Sequence, residues 1–415
     1  MIHTLNLVAT NAAGNASASA TVTVAEPAGL PAWLSGVTVR SWTQVPNTTM
    51  MKMDRSGLEP IIGTSAGTDW AKYGHPFTSG GIMSQSGGAM RTNGSELLLF
   101  GGGGAGSWAG NDIRGLRLED DAPQWKVRRP PSPDYWPRVN TGGVSHAYMQ
   151  DGVSPNSRHS YFGPQYCNAQ ERFYIFACWQ VWETDTRPAS PGSEAVDSLE
   201  WSTRVWNPPG THPPIPTVPG WDSSWTAKHP VTEHFYKSAW RYIHRFDPFA
   251  NKWHPYEYTH PTTDVDRAVA AIDPDHNLLL TIGQTPSGGR GNIPQVFKID
   301  VVPYKRVAAT LSGPFAASIF NPSGTWSSGI LWDPGLHCFL WYQDDGFLYT
   351  ITRGATDADW IVDRLTVTGD LPPPDMSNGK HTWPTIYGLI QYVPNLKGVA
   401  MQISCEHNCY FIRTT

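Results

Sequence analysis

Charge is scarce in this 415-residue chain, with Asp, Glu, Lys and Arg making up only 16% of it. The net charge is −5 and the basic residues are scattered. A nucleic-acid surface needs a concentrated cationic face, so that partner is excluded. No apolar run approaches the roughly 18 residues that suggest a membrane-crossing helix, so no membrane insertion is expected. The N-terminus shows no charged stretch followed by an apolar one, so no secretory signal is read there. Either the sequence is a mature fragment or the protein leaves its cell by another route, such as inside a virus particle. Apolar residues at helical spacing are missing as well, which predicts almost no helix. Cysteine is sparse, and the count of 5 is odd, which does not suit a disulfide scaffold. Cys405 and Cys409 flank a three-residue turn and either bridge a hairpin or sit as buried thiols. The 14 histidines show none of the spacings that gather metal ligands on one element, and 405–409 reads as a hairpin turn. No metal and no cofactor are expected.

Abundant residues tell the complementary story. There are 40 Gly, 36 Pro and 19 Trp, a composition that suits many short strands joined by turns. Most of the tryptophans should fill the core, and a minority should stack against sugar rings. The most informative stretch is 97–125. It opens with Leu97-Leu98-Leu99-Phe100, too short for a helix and uniformly apolar, hence a buried strand. Gly101 to Gly104 end that strand, since glycine tolerates positive φ and close backbone approach. They are not a phosphate loop, because no Lys-Ser/Thr follows and no helix opens. A half-exposed strand at 113–118, an acidic turn and a polar strand led by Trp125 complete the pattern.

Three strands of falling hydrophobicity, a di-glycine after the first and a Trp in the last resemble a kelch repeat, one blade of a β-propeller as in galactose-oxidase-like proteins. That resemblance implies an all-β fold of four-stranded blades. Four weaker copies follow. The second starts at 157–161, has its second strand at 172–179, resumes at 240–247 and ends near Trp253. The others span 267–311, 328–368 and 387–413. Turn pieces recur at equivalent places: Asn168-Ala169-Gln170-Glu171, Asp273-Pro274-Asp275-His276-Asn277, Asp333-Pro334-Gly335 and Pro394-Asn395-Leu396-Lys397. Five blades are counted, and one divergent blade would make six. The segment 37–46 repeats the Trp-bearing outer-strand pattern and is expected to close the ring, because the last repeat lacks such a strand.

Domain boundaries follow. Residues 1–26 read as a β-hairpin, with alternation at 4–8 and 20–24 around a turn at 11–14. They resemble the closing two strands of bacterial and phage immunoglobulin-like domains. Such a hairpin is marginal alone in water, so it is expected to pack on the propeller or on another subunit. Residues 27–36 are a linker, and 37–415 are the propeller. A Trp- and Pro-rich stretch at 180–237 reads as a folded excursion over one face, since long loops are commonly functional and disordered chains are poor in aromatics.

Function is expected on the face where loops from second to third strands meet those entering the inner strands. That reasoning gathers Trp108, the excursion, Arg290 and Asp344-Asp345 with Arg158, His159, Arg267, Trp326, His381 and Trp383 as ligand-binding candidates. The sharpest cluster is Ser157-Arg158-His159-Ser160-Tyr161. His159 or Tyr161 as base, with Arg158 clamping a carboxylate, would be the chemistry of a uronic-acid polysaccharide lyase. The same residues serve equally as channel wall. A galactose-oxidase-type copper site would need paired Tyr, paired His and a Cys crosslink, which cannot be placed here.

Two classes therefore compete. The first is a non-enzymatic recognition or structural module on an extracellular or virion surface, such as a phage tail or head fibre protein. It would bind surface polysaccharide or glycan and dock to other virion or multimer subunits through the hairpin. The second is a polysaccharide-degrading enzyme, foremost the lyase using Arg158, His159 and Tyr161.

Overall fold

The computed structural model describes residues 2–11, 14–23, 29–58, 77, 82–83, 86–101, 108, 110–132, 148, 151–158, 160–176, 195–216, 225–239, 242–254, 266–284, 292–319, 328–343, 345–373 and 386–415. Among the described residues, strands β1 (Ile2–Asn11) and β2 (Gly14–Thr23) pair only with each other. After them comes β3 (Ser41–Gln44). The first blade is then β4 (Gly88–Arg91), β5 (Glu96–Phe100), β6 (Ile113–Arg117) and β7 (Trp125–Arg129). The second is β8 (Pro164–Cys167), β9 (Arg172–Phe176), β10 (Val196–Glu200) and β11 (Val205–Trp206). The third is β12 (Thr226–Lys228), β13 (Phe235–Ala239), β14 (Tyr242–Asp247) and β15 (Lys252–His254). The fourth is β16 (Asp266–Asp273), β17 (Leu278–Gln284), β18 (Asn292–Lys298) and β19 (Lys305–Val307). A short β20 (Thr310–Ser312) precedes the fifth blade: β21 (Gly329–Asp333), β22 (Cys338–Tyr342), β23 (Leu348–Arg353) and β24 (Asp359–Arg364). The sixth is β26 (Ile390–Val393), β27 (Gly398–Met401) and β28 (Tyr410–Arg413), preceded by β25 (Thr368–Gly369).

The protein is thus an all-β six-bladed propeller, and among the described residues its one α-helix is Ala316–Ile319. The blades number six, the alternative left open beside a count of five. What reads as one interrupted repeat is two blades, because 180–237 supplies β10 and β11 to one blade and β12 and the first three residues of β13 to the next. Pro and Trp obscured those short strands. Trp201, Trp206 and Trp225 from that stretch are buried between blades rather than spread over a face. The described tryptophans other than Trp33 are all buried. Second strands such as β5, apolar after Glu96, and β22 are buried along their whole length, as a strand covered on both faces must be.

Ring closure follows the expected route. β3 pairs antiparallel with β28 (Phe411 opposite Thr43, Ile412 opposite Trp42) and supplies the fourth strand of the last blade. The segment leaving a blade also braces the next one. β20 adds in parallel to β24, β25 adds in parallel to β3, and Asp54, beyond β3, bridges to Lys126 of β7. Residues past β11 lie against the third blade, where Asn251 donates to the Thr211 carbonyl (2.8 Å) and Trp253 to that of Pro213 (2.9 Å).

Five of the six turns between inner and second strand contain four residues, and all six share one device. Ser95, Glu171, Asn277, His337 and Lys397 each end a four-residue turn at φ between 46° and 53°, and Glu233 takes φ 56° in the longer third-blade turn. A left-handed residue matches the twist of the flanking strands. Asp273 and Asp333 reinforce two of these turns by accepting backbone N–H bonds two and three residues on. All four described cysteines, Cys167, Cys338, Cys405 and Cys409, are free and buried, so no bridge joins Cys405 to Cys409.

Two outcomes follow. A chain starting at residue 46 lacks β3 and should lose its cooperative thermal transition, whereas one starting at residue 29 should keep it; calorimetry separates the two. His244, 1% exposed with neither ring nitrogen partnered, has its pKa pulled by burial from 6.5 to about 4. Between those values the unfolded chain binds a proton that the native state refuses, so stability falls as pH drops through that window. The loss is on the order of 3 kcal/mol. His244→Leu should remove that part of the fall in the denaturant midpoint between neutral and mildly acidic pH.

Candidate functional site

Inner strands β4, β8, β12, β16, β21 and β26 surround a central cavity of ≈ 770 Å³. Its wall includes Gln165 and Tyr166 of β8, Thr226 and Lys228 of β12, Trp332 of β21, and Gln391 and Tyr392 of β26. The turns from inner to second strands add Thr92, Asn93, Asn168, Val231, Glu233, Asp275 and Asn395. Rings, amides and a few charges therefore converge on a concavity of ordinary ligand-pocket size.

The rim is a girdle of bonds from turn to turn. Asn395 of the sixth blade donates to the Thr92 carbonyl of the first (3.3 Å), and the Thr92 N–H donates to Asn168 Oδ1 of the second (2.8 Å). The Asn168 and Ala169 N–H groups donate to Glu233 of the third blade at 3.0 and 2.7 Å. His229 Nε2 lies 3.2 Å from Asn277 Oδ1 of the fourth, and His337 Nδ1 of the fifth lies 2.8 Å from Asp275 Oδ2. Between fifth and sixth the junction is packing. A Cβ built on Gly335 would stand 2.7 Å from Thr415 Cγ2.

Glu233 is the centre of this girdle. Besides those two N–H groups it accepts from Asn168 Nδ2 (3.0 Å), Lys228 Nζ (3.3 Å) and the Cys167 thiol (3.3 Å). Burial would raise its pKa, but the Lys228 charge and the Ala169 and Asn168 donors outweigh it and hold the carboxyl below its usual value. Burial pulls the Lys228 ammonium down, against the pull of Glu233, and Nζ is also held by the Tyr166 carbonyl (2.8 Å). Burial, with Glu233 alongside, pushes the Cys167 thiol up to about 12, so it is no nucleophile at neutral pH. Tyr392 is likewise raised to about 12 by burial and the Asp333 charge.

The sequence-derived candidates fare differently. Trp108 is 1% exposed, with Nε1 donating to Asp112 Oδ1 (2.8 Å), so its ring is core and not a contact surface. Asp112 in turn pairs with fully buried Arg114 at 2.8 Å. Arg158 is also fully buried. Its Nη1 lies 3.2 Å from Asp197 Oδ2, and its Nε donates to the Asn156 carbonyl (3.2 Å). Burial raises the Asp197 pKa against the opposing Arg158 charge. The arginine read as a clamp for a ligand carboxylate thus holds an internal one. Tyr161 is buried at a turn with φ 37°, ahead of β8. Arg267 lies on β16, the innermost strand of its blade. Asp345 accepts from Tyr349 Oη (2.5 Å) and from the Phe347 N–H (2.9 Å), shaping its own turn. His159, Arg290, Trp326, His381, Trp383 and Asp344 lie outside the described residues. No group of three or more His, Cys, Asp or Glu fit to hold a metal occurs among the described residues.

Lys228, Glu233, Gln165 and Tyr392 were missed. The only sequence signal for them is their place on inner strands and on turns, where the recurring pieces looked like punctuation.

No family model and no curated protein sequence matches the chain. Solved structures similar to it include TolB from Acinetobacter baumannii, at 8% identity and TM-score 0.38 over 69% of this chain and 55% of that one. The chain therefore spans about half the length of that TolB. A gluconolactonase from Xanthomonas campestris is 10% identical, with TM-score 0.42 over 81% and 87% of the two chains. An auxiliary nutrient binding protein from Bacteroides thetaiotaomicron is 11% identical, with TM-score 0.45 over 89% and 75%. The six-bladed assignment rests on the strand pairing itself.

Glu233→Ala would strand Lys228 and two N–H donors. It should cost about 3 kcal/mol in denaturant-induced unfolding, whereas Asp275→Asn, at the more exposed fourth-to-fifth junction, should cost under about 1 kcal/mol.

Proposed function

We propose that this chain is a non-enzymatic, kelch-like recognition propeller that binds a saccharide in its central cavity. It would act on an extracellular or virion surface, as in a phage tail or head fibre, with the β1–β2 hairpin joining it to other subunits. The observation that carries the saccharide reading is the cavity wall. The rings of Tyr392 and Trp332 stand among the amide side chains of Gln165 and Gln391, the mixture that a sugar with apolar C–H faces and hydroxyl edges requires. The charged groups there serve the protein. Glu233 is saturated with donors and Lys228 is tied to it, and the Nε2 groups of Gln165 and Gln391 donate to the Phe162, Thr226 and Gly388 carbonyls, so hydroxyl recognition would fall to the amide Oε1 atoms as acceptors.

A polysaccharide lyase is the second reading, with His159 as its base. The burial of Arg158 against Asp197 counts against it, because an acidic substrate would find that guanidinium already neutralised.

Titration calorimetry against neutral and uronate-containing oligosaccharides tests the proposal. Tyr392→Ala and Gln391→Ala, both at half-buried positions, should weaken binding at least about tenfold with the melting temperature little changed. Binding indifferent to both would remove the cavity from consideration. Incubation with acidic polysaccharides should give no unsaturated uronate, and steady product formation lost in His159→Ala would establish the lyase instead.

A further inference from the structure

The β1–β2 hairpin is a sheet that no other described strand extends. Its register sets His3 opposite Val22, Leu5 opposite Ala20, Leu7 opposite Ala18 and Ala9 opposite Ala16. Directly opposed residues share a face and successive residues alternate faces. One face therefore holds the leucine positions on β1 and the alanine positions on β2, with His3 and Asn11 at its two ends, while Ile2, Thr4, Asn6, Val8, Thr10, Asn15, Ser17, Ser19, Thr21 and Thr23 fall on the other, which is mostly polar. Residues 2–23 contain no Asp, Glu, Lys, Arg or Pro, so neither edge has the charges or prolines with which exposed strands avoid pairing. A lone two-stranded sheet with an apolar face is marginal in water.

We propose that this face packs on the same face of a second copy of the chain, forming a two-fold sandwich of two hairpins. The inference deepens the assembly role given to the hairpin above and is independent of the cavity ligand. Its basis is self-complementarity. A two-fold axis running along the strands, midway between the sheets, exchanges left and right but keeps each residue's level. β1 of one copy then lies across from β2 of the other, so the Leu5 level meets the Ala20 level and the Leu7 level meets the Ala18 level. At these two levels large positions oppose small ones in both directions, as an isologous contact requires, while the His3 level meets the Val22 level and the Ala9 level meets the Ala16 level at the two ends. The other two-fold, at right angles to the strands, would set leucine positions on leucine positions and leave alanine facing alanine. A charge-free hairpin also offers no ion pair with which to select an unrelated partner.

From strand rise and spacing, the face covers roughly 300 Å² per copy. That is small beside stable interfaces, which places the dimer in the weak, exchanging class.

Sedimentation velocity of the full chain from micromolar to millimolar concentration should show a monomer–dimer equilibrium. Leu5→Asp should weaken it at least about tenfold, and Asn6→Asp, one residue away on the opposite face, should not. Ala18→Leu should weaken it by overpacking, and adding Leu7→Ala should restore it. The melting temperature of the propeller serves as the folding control throughout. A chain monomeric at every concentration overturns the inference, as do species larger than a dimer, equal effects of Leu5→Asp and Asn6→Asp, or a dimer that survives deletion of residues 1–25. A monomeric chain whose saccharide binding persists would overturn the dimer alone and leave the cavity reading standing.

Discussion

Everything in this molecule depends on closing a ring whose first and last strands belong to the same blade. The last repeat supplies β26, β27 and β28, and β3, more than 300 residues earlier, supplies the outer strand. Closure removes the free blade face that an open arc would expose, so the hydrophobic clusters between blades run right round the molecule. The parallel additions of β20 and β25, and the bridge from Asp54, repeat this logic locally, because each exit segment braces a neighbouring sheet.

On the rim, the same constraint takes a polar form. Side chains of one turn satisfy backbone groups of the next, from Asn395 to Thr92, from Thr92 to Asn168 and on to Glu233. The left-handed residue near the end of each turn sets the approach of these turns to one another. The cavity inherits its shape from the girdle. Its carboxylate and ammonium groups are spent on holding blades together, and its amides give their N–H donors to backbone carbonyls and neighbouring turns as well.

Much of the architecture was legible from a few residues. The apolar run at 97–100 and its glycine stop marked a buried second strand, and the Trp-bearing segment at 37–46 announced the closing strand. Turn pieces such as Asp333-Pro334-Gly335 were recognised where they occur. The boundary between the second and third blades was not, because β11, which ends the second, has two residues and β12, which opens the third, has three, too short for alternation to register. The candidate site was less legible. Trp108 and Arg158 carry the residue types of a binding face, yet both are consumed internally, by Asp112 and by Asp197. Side-chain type states what a residue can do, and burial decides what it has left to do it with.

The sequence by itself determined that the chain is all-β, that its units repeat, and that an early strand completes a late blade. These follow from local patterns of apolar residues, glycine and tryptophan, which act over a few neighbours. Only the tertiary structure decided that there are six blades, that the inner-to-second-strand turns form a bonded girdle, and that Lys228 and Glu233 meet at the cavity wall. Those facts depend on which blade lies next to which. Adjacency around a ring is a property of packing, and no local stretch of sequence encodes it.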